Sequence, residues 1–119
     1  MKKILIIEDN ESNRYLLKYM LEKAEYEVIE VSSGEDGIEL LKKERVDLIL
    51  MDIQLPGIDG IETTKKIRKS KSNGEIPIIA ITSYAMAGDK EKALKAGCTG
   101  YIEKPIDPEK IIDQIEGFI

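Results

Sequence analysis

Five short apolar runs, most of them continuous and rich in isoleucine, constrain the fold of this chain more than any other feature. The runs span residues 4–7, 26–31, 48–51, 76–81 and 101–102. A continuous apolar run is typical of a strand that is buried on both faces, as in a parallel sheet covered by helices. The run at 26–31 alternates imperfectly instead, which predicts a strand at the edge of the sheet.

Helical patterns lie between these runs. In the first of them, apolar residues recur at helical spacing, at Leu16, Leu17, Met20, Leu21 and Ala24. Ser33, Asp59 and Asp107 precede further apolar stretches and favour helix N-caps, and the proline after Asp107 strengthens the last of these. Gly97 favours a helix end, and the basic residues at 65–71 are interpreted as a solvated helix end. The alternation of strand and helix predicts an α/β fold.

The composition excludes several function classes. The chain has 119 residues, no histidine and one cysteine, Cys98. This length suits one domain, and the missing histidine excludes Ser-His-Asp catalysis, Cys-His catalysis and histidine-ligated metals. A single cysteine excludes internal disulfides and cysteine-cluster zinc sites, so Cys98 is interpreted as a small buried hydrophobe. The net charge of −5 argues against direct binding of nucleic acid or of an acidic membrane.

No part of the sequence has the pattern of a membrane-spanning or secretory segment. The apolar run that follows Met1-Lys2-Lys3 stops at Glu8, too early for a signal peptide. No apolar run approaches the ~18 residues of a transmembrane helix. We therefore expect a soluble, cytoplasmic protein whose residues 1–119 form one domain.

Polar side chains follow four of the five predicted strands. They are Glu8 and Asp9 after the first run, Asp52 after the third, Thr82 after the fourth and Lys104 after the fifth. The carboxyl ends of parallel strands share one edge of a sheet, and ligands of open α/β sheets bind outside that edge. We therefore expect these side chains to converge.

The three carboxylates among them indicate a cation site. Two unit charges about 4 Å apart repel by roughly 4 kcal/mol at an effective dielectric near 20, so a bound cation would stabilise such a cluster. Oxygen ligands without nitrogen or sulfur favour Mg²⁺. The alternative for Glu8 or Asp9 taken alone is a helix N-cap, which needs only one of them.

Four segments make the sequence recognisable. They are residues 6–10 (IIEDN), 52–60 (DIQLPGIDG), 82–86 (TSYAM) and 101–105 (YIEKP). In this order the segments resemble the receiver domain of two-component response regulators, and the resemblance covers the whole chain. It implies a doubly wound, five-stranded parallel sheet of flavodoxin-like (βα)5 topology, with the strand order 2-1-3-4-5.

The resemblance also implies a role for each acidic residue. Asp52 resembles the phospho-accepting aspartate, and Glu8 and Asp9 resemble the acidic pair that holds Mg²⁺. Asp52 itself and the backbone carbonyl of Gln54 would complete the metal ligands. General chemistry agrees with these roles, because an aspartate carboxylate is a competent nucleophile toward a phosphoryl group, and cations must balance the charge of that group.

Three further residues complete the implied site. Lys104 resembles the lysine that pairs with the phosphoryl group, and the Lys104–Pro105 bond is cis in the family. Thr82 resembles the switch hydroxyl and Tyr101 the switch aromatic. Taken alone, each has an ordinary interpretation, as a surface lysine, a β-branched strand residue and a half-exposed aromatic. Val46 stands where a proline is common in the family, which puts no function in doubt.

Three other classes fit the sequence less well. A phosphatase of the haloacid-dehalogenase type would need an aspartate two residues after Asp52, where this chain has Gln54. A flavodoxin-like FMN carrier would need a phosphate loop after the first strand, where residues 8–11 carry three acidic side chains that would repel a phosphate. A pseudo-receiver would lack one of the acids or the lysine, and this sequence has all of them.

The sequence therefore predicts a phosphorylation-activated signalling switch rather than an enzyme, and a stand-alone one because the chain stops one helix after Lys104. A sensor histidine kinase or a histidine phosphotransfer protein would donate the phosphoryl group. A downstream protein would bind the fourth helix, fifth strand and fifth helix, roughly residues 87–97 and 101–118. Gln54 and Tyr84 would flank the phosphorylated aspartate, where Gln54 could orient a water and the Tyr84 ring would screen the site. Because neither is a strong general base, we expect slow hydrolysis. The alternatives are a receiver module of a longer hybrid kinase or multidomain regulator, or a phosphorelay intermediate.

Overall fold

Strands and helices alternate strictly along the chain. The computed structural model describes residues 1–70, 74–82 and 88–119. The strands are β1 (Lys3–Ile7), β2 (Glu27–Val31), β3 (Leu48–Asp52), β4 (Ile78–Thr82) and β5 (Gly100–Glu103). The helices are α1 (Glu11–Lys23), α2 (Gly34–Lys43), α3 (Gly60–Lys69), α4 (Asp89–Ala96) and α5 (Pro108–Glu116). This alternation confirms the predicted α/β class.

The five strands form one parallel sheet in the order β2-β1-β3-β4-β5. This order confirms the topology that the resemblance implied. The register brings the ends of neighbouring strands to within one residue of each other, because Asp52 pairs with Ile81 and Thr82 pairs with Glu103. The residues that follow β1, β3, β4 and β5 therefore lie along one edge, called here the carboxyl edge. The opposite edge, where the strands begin, is called the amino edge.

The central strands are buried on both faces, as their continuous apolar runs predicted. In β1, Ile4 and Ile6 pack with side chains of α1 and α5, whereas Leu5 and Ile7 pack on the other face with side chains of α2, α3 and α4. All four are fully buried. β2 is partly exposed at the side of the sheet, which confirms the predicted edge strand.

Local signals set the helix ends largely as predicted. At the starts of α2, α3 and α5, backbone N–H groups donate hydrogen bonds to the side chains of Ser33, Asp59 and Asp107. Gly97 ends α4 with a φ of 116°, a left-handed conformation that glycine adopts without strain. Leu16, one of the apolar residues that recur at helical spacing in α1, is 44% exposed. Successive helical residues point about 100° apart, and the buried Leu17 takes the inward direction.

The basic end of α3 differs from the prediction at Arg68. Its guanidinium holds two loops together at the amino edge. Nε donates to the carbonyl oxygen of Gly97 (2.8 Å), and Nη1 donates to the carbonyl oxygens of Gly74 (3.1 Å) and Ile76 (2.6 Å). Nη2 lies 3.3 Å from the hydroxyl oxygen of Thr99, to which it donates. The interpretation of this run as a solvated helix end is therefore wrong at Arg68.

The structure also bears on the interpretation of Cys98 and of the end of the basic run. Cys98 is buried, with its Sγ 3.6 Å from Oγ1 of Thr64, which confirms that it packs as a small core residue. Lys71, the last residue of the basic run, lies outside the described residues. Within the described ranges, no helix has the length and apolar character needed to cross a membrane.

Candidate functional site

The β1–α1 connection places two acidic residues at the carboxyl edge. The backbone N–H of Glu8 donates to the carbonyl oxygen of Val31 (3.1 Å), which extends the β1–β2 ladder by one residue before the chain leaves the sheet. Asn10 is the N-cap of α1, and its Oδ1 accepts from the backbone N–H of Asn13 (2.9 Å). The N-cap interpretation of Glu8 and Asp9 is therefore wrong, and their carboxylates are left for another role.

The structure brings the three predicted carboxylates together. Glu8, Asp9 and Asp52 each offer one oxygen within 4.8 Å of the others. Glu8 and Asp52 are only 2% and 6% exposed, whereas Asp9 is exposed. Oε2 of Glu8 is buried and has no hydrogen-bond partner among the described residues. A buried, unpartnered acceptor within an all-oxygen set fits a hard cation such as Mg²⁺.

Lys104 lies against this cluster rather than in solvent. Its Nζ is 2.9 Å from Oε1 of Glu8 and 3.5 Å from Oδ2 of Asp52, and its side chain is 16% exposed. The Lys104–Pro105 bond is cis, as the resemblance implied. The backbone N–H of Lys104 donates to the carbonyl oxygen of Thr82 (2.7 Å), which ties the β5–α5 connection to the end of β4. The interpretation of Lys104 as a surface lysine is wrong.

One backbone N–H and one side-chain ammonium fix the orientation of the Asp52 carboxylate. The N–H of Gln54 donates to Oδ1 of Asp52 (3.0 Å), while Lys104 lies near Oδ2. Gln54 thus reaches Asp52 through its backbone N–H, and the metal contact of its carbonyl oxygen stays a prediction. Together the two donors hold both oxygens of Asp52 in defined directions.

Gly60, the first residue of α3, allows this helix to lie close to Asp52 at the end of β3. A Cβ at Gly60 would collide with the carbonyl oxygen of Asp52 and lie 2.7 Å from Cα of Ile53. The N-terminus of α3 can therefore approach the end of β3 this closely only at a glycine. The sequence indicated only that Asp59, the residue before Gly60, is an N-cap.

The crowding of charge shifts the pKa values of the site. Burial and a hydrogen bond with Glu8 raise the pKa of the Asp52 carboxyl to about 7. Burial alone would raise the pKa of Glu8, but hydrogen bonds with Asp52 and Lys104 lower it overall. Burial alone would lower the pKa of Lys104, but its hydrogen bond to Glu8 and the charge of Asp52 raise it. Without a metal ion, the raised pKa therefore keeps a proton on Asp52 up to about pH 7, while the lowered pKa favours the ionised form of Glu8.

The predicted switch residues lie in the two strands beside this cluster. Thr82 is the last residue of β4 and is almost fully buried at the carboxyl edge. Tyr101 lies in β5, pairs with Ala80 and packs partly buried on the sheet face covered by α2, α3 and α4. Their switching roles stay predictions. Tyr84, expected to shield the site, lies outside the described residues.

Comparison with known families and curated proteins adds an independent finding. The family model described as "Response regulator receiver domain" matches residues 4–116. A curated relative is the "Polar-differentiation response regulator DivK" of Brucella ovis, which is 41% identical over 118 residues. That alignment covers 99% of this chain and 96% of the relative.

Solved structures with similar folds agree with this match. The receiver domain of a sensor histidine kinase from Pseudomonas aeruginosa PAO1, with a magnesium ion coordinated in its active-site cleft, is 34% identical with a TM-score of 0.92. The superposition covers 98% of this chain and 96% of that one. The chemotaxis response regulator CheY4 of Vibrio cholerae is 28% identical with a TM-score of 0.95, covering 100% of this chain and 99% of its own.

Proposed function

The chain belongs to the response regulator receiver domain family, and from that premise we propose that it is a phosphorylation-activated signalling switch with Asp52 as its phosphoryl acceptor. The proposal treats residues 1–119 as one receiver domain. The observation that carries it is the carboxyl-edge cluster, in which the ammonium of Lys104 lies 2.9 Å from Glu8 and 3.5 Å from Asp52. A buried carboxylate with both oxygens oriented and a cation beside it suits in-line attack on phosphorus.

The phosphoryl donor in this proposal is a phosphohistidine of a sensor histidine kinase or of a histidine phosphotransfer protein. The chain contains no histidine of its own. An oxygen of Asp52 attacks phosphorus, the P–N bond breaks, and the imidazole leaves with the electron pair of that bond. The product is an acyl phosphate on Asp52. The attack needs the ionised carboxylate of Asp52, and because its pKa is raised to about 7, a proton must leave this carboxyl first.

The metal ligands in the proposal are the carboxylates of Glu8, Asp9 and Asp52 and the backbone carbonyl of Gln54. The all-oxygen donor set and the unpartnered Oε2 of Glu8 support Mg²⁺ in this position. When bound, Mg²⁺ supplies positive charge that balances the acidic cluster and the incoming phosphoryl oxygens. The raised pKa of Lys104 keeps its ammonium charged. In this proposal the ammonium exchanges its carboxylate contacts for a charge-assisted hydrogen bond to a phosphoryl oxygen.

Signal output in this proposal starts at Thr82. Its hydroxyl would turn toward a phosphoryl oxygen, and Tyr101 would turn into the space that this movement leaves. The bond from the N–H of Lys104 to the carbonyl oxygen of Thr82 supports coupling between the two connections. A downstream protein would then bind the surface formed by α4, β5 and α5. The phosphoryl group drives this change only by contacting the two conformations differently.

A second candidate is a receiver that relays the phosphoryl group onward, as part of a hybrid kinase or as a separate intermediate. The observation that favours it is the likeness to the receiver domain of a sensor histidine kinase, 34% identical over 98% of this chain. Transfer of the phosphoryl group from Asp52 to the histidine of a phosphotransfer protein would distinguish this role from an end-point switch.

The test is phosphorylation by acetyl phosphate in the presence of Mg²⁺, followed by intact mass measurement. The wild type should gain the mass of one phosphoryl group, and Asp52→Asn should gain none. Asp113→Asn makes the same chemical change at an exposed position of α5 and should gain one group. Thr82→Ala should also gain one group, since its proposed role follows transfer. Phosphorylation of Asp52→Asn, or none in the wild type, would contradict the proposal.

A further inference from the structure

Arg14 reaches back from α1 to the loop that carries Glu8 and Asp9. Its backbone N–H donates to the carbonyl oxygen of Asn10 (3.0 Å), the first helical bond of α1. Side chains of helical residues point toward the helix N-terminus, so the guanidinium returns to the β1–α1 connection. There, Nη1 donates to the carbonyl oxygen of Glu8 (3.0 Å) and lies 3.3 Å from that of Asp9, to which it also donates.

These two carbonyl groups lie where the chain leaves the sheet. The N–H of Glu8 makes the last bond to β2, and the next residues turn toward α1. A single guanidinium nitrogen bridging both carbonyls fixes the two peptide units relative to α1. Because a carboxylate on a fixed peptide unit samples fewer directions, Arg14 narrows the positions open to the side chains of Glu8 and Asp9.

The contrast with Lys104 shows which oxygens each cation occupies. Lys104 takes carboxylate oxygens of Glu8 and Asp52. Arg14 bonds to backbone carbonyls instead, and within the described ranges no carboxylate oxygen lies within 4 Å of its guanidinium. We propose that Arg14 is a positioning residue for the metal-binding pair, which it orients without occupying the oxygens that a cation needs. This inference rests on the proposed binding of Mg²⁺ at the carboxyl edge.

Positioning and plain electrostatics predict opposite effects when Arg14 is replaced. If Arg14 acted only through its charge, removal of a nearby cation would strengthen Mg²⁺ binding. If it holds the loop, removal should weaken binding, and loss of groups that orient metal ligands commonly costs 10- to 100-fold in metal affinity. The sign of the change therefore separates the two mechanisms.

The experiment is calorimetric titration with MgCl₂ of the wild type, Arg14→Met, Arg14→Lys and Arg45→Met. Arg14→Met keeps the aliphatic stem and removes every donor. Arg14→Lys keeps the charge but replaces the forked guanidinium with one ammonium. Arg45→Met is the matched control, because Arg45 is exposed in the loop before β3. Thermal unfolding of each variant in EDTA checks that it is folded.

We expect the dissociation constant for Mg²⁺ to rise at least about tenfold in Arg14→Met, less in Arg14→Lys, and to stay at the wild-type value in Arg45→Met. An unchanged or smaller dissociation constant in Arg14→Met overturns the inference while the proposed metal site stands. If Arg14→Met does not fold, Arg14→Ala, which also removes every donor, takes its place, and wild-type affinity in that variant overturns the inference equally. Absence of Mg²⁺ binding in the wild type would overturn the proposed metal site and this inference together.

Discussion

The two edges of the sheet each hold a partly buried cation, and the two cations have different partners. At the carboxyl edge, Lys104 contacts carboxylate oxygens of Glu8 and Asp52. At the amino edge, Arg68 donates to three backbone carbonyls and one hydroxyl, all of them neutral. Lys104 therefore interacts with negatively charged groups, whereas Arg68 makes hydrogen bonds to neutral groups only.

This difference indicates a functional role for the carboxyl edge and a structural role for the amino edge. At the carboxyl edge one ammonium faces three clustered carboxylates, and the pKa of Asp52 is raised to about 7 because ionisation there is costly. The repulsion among these carboxylates would be relieved by a bound divalent cation. At the amino edge, Arg68 joins the starts of β4 and β5 without adding opposed charges. We therefore expect substitutions at the two edges to respond differently to pH and to Mg²⁺.

The largest expected effect is at the amino edge. Arg68→Ala removes a charged donor from three loop carbonyls, so we expect the free energy of unfolding to fall by about 3 kcal/mol. Chemical denaturation with and without Mg²⁺ measures this loss, which Mg²⁺ should not restore. Arg45→Ala, at an exposed position, is the control and should change stability little. If Arg68→Ala lowers the free energy of unfolding by less than about 1 kcal/mol, the hydrogen bonds of Arg68 contribute no more than those of an exposed surface cation, which would contradict this prediction.

A smaller effect of opposite sign is expected at the carboxyl edge. The folded protein keeps a proton on Asp52 up to about pH 7, whereas the unfolded chain releases it near 3.8. The free energy of unfolding without metal should therefore fall as the pH rises between these values and then level off. The lowered pKa of Glu8 acts in the opposite direction, so we expect Asp52→Asn to be more stable than the wild type at pH 8 by about 1–2 kcal/mol.

Denaturation in EDTA between pH 4.5 and 8 measures this difference. The advantage of Asp52→Asn should shrink toward the acid end, where the wild-type carboxyl is protonated. Asp113→Asn should follow the wild type at every pH, because Asp113 is exposed on α5. Parallel curves for the wild type and Asp52→Asn would show that the acidic cluster does not strain the fold.

The sequence predicted the features of the fold and of the site that depend on short-range patterns or on the order of segments along the chain. The continuous runs predicted a sheet buried on both faces, and Ser33, Asp59 and Asp107 predicted helix starts. Strand-end positions predicted that Glu8, Asp9 and Asp52 would meet, since parallel strands share an edge. The strand order came from the family resemblance.

The missed features depend on contacts between distant parts of the chain. Arg68 bonds to Gly97 and Thr99, about thirty residues away, and a long side chain in a basic run gives no local sign of such partners. Gly60 follows the predicted N-cap Asp59, but its close approach to Asp52 is a tertiary contact that the N-cap pattern does not indicate. Leu17 is buried and Leu16 is exposed, and periodicity alone does not decide which of two adjacent leucines faces inward.

The most direct test of the central claim is the thermal unfolding of the wild type and Asp52→Asn in EDTA and in millimolar Mg²⁺. If the crowded carboxylates form a cation site only in the folded protein, Mg²⁺ at ten times its dissociation constant should stabilise the wild type by about 1.4 kcal/mol. Asp52→Asn has lost one of the clustered charges, so its unfolding midpoint should start higher in EDTA and rise less. A wild-type midpoint that is indifferent to Mg²⁺, or an equal rise in Asp52→Asn, would contradict the account.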